Sequence, residues 1–154
     1  MRGVTPVEAL RGTVTALQTE IFARRYYECF NLREFDTGER FIDPQAVFTY
    51  PQSSQQFIGR AGYRELVRRW VSAFPDSNVS VINVRVTSSE IACTEWVAHG
   101  THLGTLMLPG LAPIPPTGIH TCLKIRETIR VINAMIVESV VEFDPEDLRR
   151  RLSS

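Results

Sequence analysis

The chain has 154 residues, enough for one domain with a buried core and too few for two, so we treat 1–154 as a single domain. Seventeen Lys and Arg balance seventeen Asp and Glu, giving a formal net charge of zero, which offers no long-range attraction to a polyanion and argues against nucleic acid as a partner. Hydrophobic residues make up 44% and charged residues 22%, the balance of a globular chain, and every apolar run is interrupted well short of membrane-spanning length.

The opening residues, Met1 to Pro6, carry neither the apolar stretch nor the cleavage site of a secretory signal, so the expectation is a cytoplasmic protein. Cys29, Cys93 and Cys122 are odd in number and far apart. They predict neither a disulfide framework nor a metal site.

Leu10, Val14, Leu17 and Ile21 recur at helical spacing, with Phe22, Tyr26 and Phe30 one step around the cylinder. This predicts a long helix over residues 6–30. A shorter helix is expected over 36–42, capped by Asp36 or Thr37. Residues 46–50 read as a short strand stopped by Pro51. A third helix is expected over 59–74, with Tyr63, Leu66, Val67, Trp70 and Phe74 along one side, ended by the proline after Phe74.

The period then changes. Residues 79–86, 90–102, 118–131 and 135–143 alternate and are rich in β-branched residues, with Asn133-Ala134 as a tight hairpin turn between the last two. Residues 104–117 form a long apolar, proline-rich connection, either a lid or a contact with a second subunit. Helices followed by an antiparallel sheet make an α+β pattern, in which a strongly curved sheet encloses a pocket.

Alternation sorts the strand residues by face. Thr94, Trp96, Ala98, Gly100 and His102 share the inward face of one strand, and His99 and His120 are expected in solvent. On the next strand Ile119, Thr121, Leu123, Ile125, Ile129 and Val131 face in, and Glu127 falls in the same row. A carboxylate there is costly unless it is paired, protonated or facing a cavity, which makes it the most informative residue of the chain. On the last strand Met135, Val137, Ser139, Val141 and Phe143 are expected inside.

Phe57-Ile58-Gly59, Phe74-Pro75-Asp76, Gly100-Thr101-His102-Leu103-Gly104, Pro115-Pro116-Thr117-Gly118, Ile136-Val137-Glu138 and Phe143-Asp144 followed by Leu148 resemble, in order, the SnoaL-like polyketide cyclases of the NTF2-like superfamily. The resemblance covers about residues 18–153. It implies a cone of three N-terminal helices packed in a strongly curved antiparallel sheet, a deep apolar pocket and often a homodimer. SnoaL-type aromatic cyclases use an inward Asp on the last strand, assisted by a His on the strand before. A gap-free register places Glu127 at the His position and Val141 at the Asp position. The aldol-type aspartate is therefore absent. Relatives that open epoxides to make cyclic ethers use a pocket Tyr, His and carboxylate, to which Tyr50, His102 and Glu127 are similar in position. The Asp-Arg-Asp signature of limonene-type epoxide hydrolases is not evident.

The resulting expectation is a cofactor-free cyclase or isomerase of secondary metabolism acting on an apolar polyketide- or terpenoid-like intermediate. Glu127, His102 and Tyr50 are the candidate catalytic residues. Trp96, Tyr26, Phe30, Trp70, Phe74 and Val141 are the candidate substrate-binding wall. Epoxide-opening ring closure is the favoured form. Epoxide hydrolysis or dehydration in the same pocket, and a non-catalytic binding module, are the alternatives. Glu127 is either a general acid/base with an elevated pKa or a buried carboxylate satisfied by Arg25, Tyr26 or water. No membrane partner is expected, and the run Arg149-Arg150-Arg151 reads as a solvated helix face.

Overall fold

A computed structural model describes residues 3 and 5–153, with the side chains of 8–14 outside the description. Ten elements follow one another: α1 (Pro6–Asn31), α2 (Phe35–Glu39), β1 (Ile42–Thr49), β2 (Gln56–Ile58), α3 (Gly59–Ala73), β3 (Asn78–Val86), β4 (Ile91–Thr101), β5 (His120–Ile132), β6 (Met135–Glu142) and α4 (Pro145–Arg151). The six strands form one curved sheet in the order β2-β1-β6-β5-β4-β3. It is antiparallel except where β1 runs parallel to β6. Helix α1 packs against β3 and β4, and α3 against β1 and β2, so the helices fill the concave side.

Most elements lie where the hydrophobic period predicts them, and the exceptions have local causes. Helix α2 ends at Glu39 rather than 42, because Ile42 pairs with Ile136 and the Phe41 carbonyl accepts from the Ile136 N–H at 2.6 Å. Strand pairing takes the last turn of the expected helix, and Asp36 falls inside the first turn instead of capping it. Strand β1 consequently begins four residues early. The three-residue β2 carries too little sequence to show a period.

The Asn133-Ala134 turn is as expected, with positive φ at both residues (52° and 57°), the geometry that matches the twist of a two-residue hairpin. Just beyond it a bulge shifts the β5–β6 register between Arg130 and Val131. That shift buries Ile136 and leaves Met135 and Val137 half-buried, correcting the face assigned to this end of β6. Ser139 and Val141, beyond the bulge, face inward as expected.

Helix α1 turns Ala23, Tyr26 and Tyr27 into the core. Leu17 (54%) and Ile21 (58%), from the stripe that gave the helix its period, remain exposed. Leu10 and Val14 of that stripe lie among the side chains outside the description. Residues 104–117 are a docked hairpin rather than a free excursion. Leu106 and Ile114 bridge each other, and Leu106, Leu108 and Leu111 are buried. Helix α4 is capped by the Asp144 side chain, which accepts from the Glu146 and Asp147 amides, and its three arginines are exposed.

Candidate active site

The concave side closes around a cavity of about 90 Å³, room for several waters or one small ring system. From the helices, Tyr26, Tyr27 and Phe30 of α1 and Tyr63, Leu66, Val67 and Trp70 of α3 line it. From the sheet come Phe48, Val79, Trp96, Ala98, Glu127 and Val141, joined by Tyr50 and Ser77 from the connections. Phe30, Val67 and Trp70 are half-buried and rim the outer end, while Glu127, 4% exposed, lies at the inner end.

Glu127 stands on β5 between Thr94 of β4 and Val141 of β6. Its two oxygens are each bonded: the Tyr27 hydroxyl donates to one at 2.9 Å and the Ser139 hydroxyl to the other at 2.6 Å. Burial pushes its pKa above the ordinary carboxylate range, and the Ser139 and Tyr27 bonds, which favour the charged form, pull it part of the way back. No cation pairs with it among the described residues; the groups that donate to it are a phenol and an alcohol. Tyr26, Tyr27, Tyr50 and Tyr63 are all raised, first by burial and further by the Glu127 charge. They are neutral O–H groups throughout the physiological range.

The structure brings Glu127, Tyr50, Trp96, Tyr26, Phe30, Trp70 and Val141 onto one cavity wall. It does not bring His102 or Phe74 there. His102 is fully buried just past the end of β4, beyond Ala98 of the cavity wall, its Nδ1 3.0 Å from the Thr117 hydroxyl and its ring 5.3 Å from that of Phe74. Phe74 packs against Gly100, where an added Cβ would come within 2.9 Å of the Phe74 side chain. Phe74 thus stands as an aromatic plug between His102 and Trp70 of the cavity wall, whose ring is 5.9 Å from its own. Burial lowers the His102 pKa below its ordinary value, so the imidazole is neutral at pH 7. Alternation placed His102 on the correct face, but a face does not fix how far along the strand the cavity reaches.

Both hydrogen-bond partners of Glu127 were missed. Ser139 was placed inside by alternation without a partner. Tyr27, beside Tyr26 on α1, reaches the carboxylate that Arg25 or Tyr26 was expected to satisfy. The helical neighbour of an inward aromatic, opposite a buried carboxylate, is the signal that could have found it. Among the described residues no three His, Cys, Asp or Glu side chains gather at one point, and no helix is long and apolar enough to cross a membrane.

The family model for SnoaL-like polyketide cyclases matches residues 20–152. The chain belongs to that family. Its fold is shared by IdmH of Streptomyces antibioticus, described as a polyketide cyclase, at 25% identity and TM-score 0.71, with 89% of this chain and 99% of that one covered. A Jannaschia protein described as a SnoaL-like polyketide cyclase aligns at 15% identity and TM-score 0.74, covering 100% of this chain and 99% of the other. A Kribbella flavida protein described as a ketosteroid isomerase aligns at 16% and 0.62, with 82% and 78% covered. The chain matches no curated protein. Membership of that family supports an enzyme of the cyclase kind.

Proposed function

We propose that this SnoaL-like protein is a cofactor-free cyclase that isomerises an apolar polyketide- or terpenoid-like intermediate, with Glu127 as the general acid/base. The observation that carries this reading is a carboxyl group without a counter-cation, raised in pKa, on the wall of an aromatic cavity. A carboxyl poised above its ordinary range exchanges protons near neutral pH more effectively than an exposed one. The aldol-type Asp position is Val141, which lies beside Glu127 on the next strand.

The favoured reaction is ring closure by epoxide opening. A substrate hydroxyl oxygen forms the new C–O bond as the epoxide C–O bond breaks. Glu127 takes the hydroxyl proton, and the neutral Tyr50 hydroxyl protonates the epoxide oxygen. That proton is restored to Tyr50 from Glu127 at the end of the cycle, so the product is an isomer of the substrate. The walls contribute by holding the chain in the closing conformation and keeping out water. His102, outside the cavity, has no part in this scheme; the oxygen-activating role falls to Tyr50.

The exposed Leu17 and Ile21 on α1 support a homodimer, with that face covered by a second copy.

Metabolite profiling of the host with the gene intact and deleted tests the reading. Accumulation of a compound equal in mass to the lost product is expected. A difference of one water would move the reaction to hydrolysis or dehydration, and an unchanged profile would favour a binding module.

A further inference from the structure

Folded proteins pair nearly all their buried polar groups, so each orphan asks for a reason. Four buried side-chain polar atoms have no partner among the described residues: Ser77 Oγ, Thr94 Oγ1, Trp96 Nε1 and His102 Nε2. His102 lies outside the cavity, and Thr94 does not line it. Ser77 is on the wall, but its hydroxyl rotates and can both donate and accept. Trp96 differs on each count. It is 8% exposed, lines the cavity, and carries an N–H that only donates and cannot turn away without moving the whole indole. The ring is packed at 5.8 Å from Tyr27, which fixes its plane. Its N–H is near enough to Glu127 and Tyr27 to favour the charged form of both, yet it closes a hydrogen bond to neither.

We propose that the Trp96 indole N–H is a catalytic hydrogen-bond donor that receives a substrate oxygen at the inner end of the cavity, next to the Glu127 carboxyl. The inference rests on the cavity being the substrate site and names what the substrate must carry there: an acceptor oxygen of the ketone, enolate, epoxide or alkoxide type, on an otherwise apolar skeleton. A fixed donor aimed at an oxygen whose negative charge grows during reaction stabilises the transition state more than the ground state. With Glu127 moving the proton and Trp96 holding the oxygen, base and oxyanion partner stand diagonally across adjacent strands, β5 and β4.

The test uses two matched probes, 1-indanone and indane, which differ by one acceptor-only carbonyl. The chain has two tryptophans, Trp70 and Trp96, so a ¹⁵N-edited spectrum holds two indole signals, and Trp96→Phe identifies the one from Trp96. In the unmodified protein, 1-indanone is expected to move the Trp96 N–H signal downfield and to bind about tenfold more tightly than indane, the range of one good hydrogen bond. In Trp96→Phe that preference should fall to about onefold. Equal binding of both probes with an unmoved indole signal would overturn the proposal, and the spectrum decides this even if the variant folds poorly. Failure of both probes to bind would overturn it together with the cavity as the substrate site. Because the readout needs no turnover, it is separate from the acid/base role: full activity in Glu127→Gln would remove that role and leave the indole result standing.

Discussion

Glu127 and His102 are both buried and both titratable, Glu127 on the inward face of β5 and His102 just past the end of β4, yet they have different surroundings. Glu127 has both oxygens bonded and open space beside it. His102 has one nitrogen bonded, the other orphaned, no exposed surface and the Phe74 ring against it. Burial moves the two pKa values in opposite directions, the acid up and the base down, so both groups are driven toward neutrality. What separates a candidate catalytic group from a packed one is therefore access to a cavity rather than burial or a shifted pKa.

The sharpest way to break the comparison is to neutralise each group in turn. Glu127→Gln keeps the shape, and the Tyr27 and Ser139 hydroxyls can rotate to suit an amide. Turnover is expected to fall about 10²- to 10⁴-fold, the usual contribution of a general acid/base, while the fold survives. Wild-type activity in this variant would end the acid/base reading. The same substitution should raise the melting temperature at neutral and alkaline pH. A carboxyl with a raised folded pKa binds more protons folded than unfolded, so it loses stability as pH climbs from the ordinary carboxylate value through the folded one. Gln removes that loss.

Truncating the partners of Glu127 comes next in size. Tyr27→Phe and Ser139→Ala each leave an oxygen of a buried carboxylate unbonded, at a cost of about 1–3 kcal/mol, measurable by denaturant unfolding. Both bonds favour the charged form, so losing either raises the Glu127 pKa further. The acid limb of the rate profile should shift to higher pH in each variant. An unmoved limb would mean that another group is being titrated.

The same contrast explains what the sequence could and could not disclose. Glu127 was legible because alternation on a 13-residue strand is unambiguous and a carboxylate in an apolar row is conspicuous. The strands and the Asn133-Ala134 turn were legible for similar reasons: long periods and turn chemistry are local. Met135 and Val137 were assigned inward, where Ile136 is the buried residue, because a bulge, which has no period, flips one end of β6. Phe41 and Ile42 were lost to β6 by pairing with residues almost a hundred positions away. Spacing put Tyr27 beside an inward aromatic and Ser139 on the inward face, but their bonds to Glu127, and the place of Phe74 between His102 and the cavity, depend on three-dimensional packing.

His102→Leu addresses the other half of the comparison. The hydrophobic replacement is close in volume, and Thr117 is exposed enough to bond water instead, so the cost at pH 7 should stay below about 1.5 kcal/mol and turnover should change little. The acid limb of stability should change more. A lowered His pKa means that the unfolded chain binds more protons between the folded value and 6.5, so the wild-type protein loses stability as pH falls below 6.5. The slope contributed by His102 is opposite in sign to that of Glu127 over the adjoining range, and the two partly cancel. Glu127→Gln should therefore expose a stability that rises with pH, and His102→Leu one that falls with it. Thermal melts of the two variants between pH 4.5 and 7.5 test this. Parallel slopes would show that the two groups do not titrate as their surroundings require.

The smallest effect on folding is expected at the helix surface. Leu17→Glu with Ile21→Glu alters two exposed positions, so the melting temperature of the isolated fold should hardly move. If a second copy covers this face, the same pair of charges must be desolvated against apolar side chains, and association should be lost. Sedimentation at fixed concentration distinguishes the cases: a dimer that becomes a monomer supports α1 as the contact, and an unchanged dimer places the contact elsewhere. Turnover adds a further discrimination. Tyr26, Tyr27 and Phe30 lie on the same helix one to three turns further on, so a dimer that braces α1 should bind substrate more weakly once separated. An α1 held by its own packing on β3 and β4 would work equally well as a monomer.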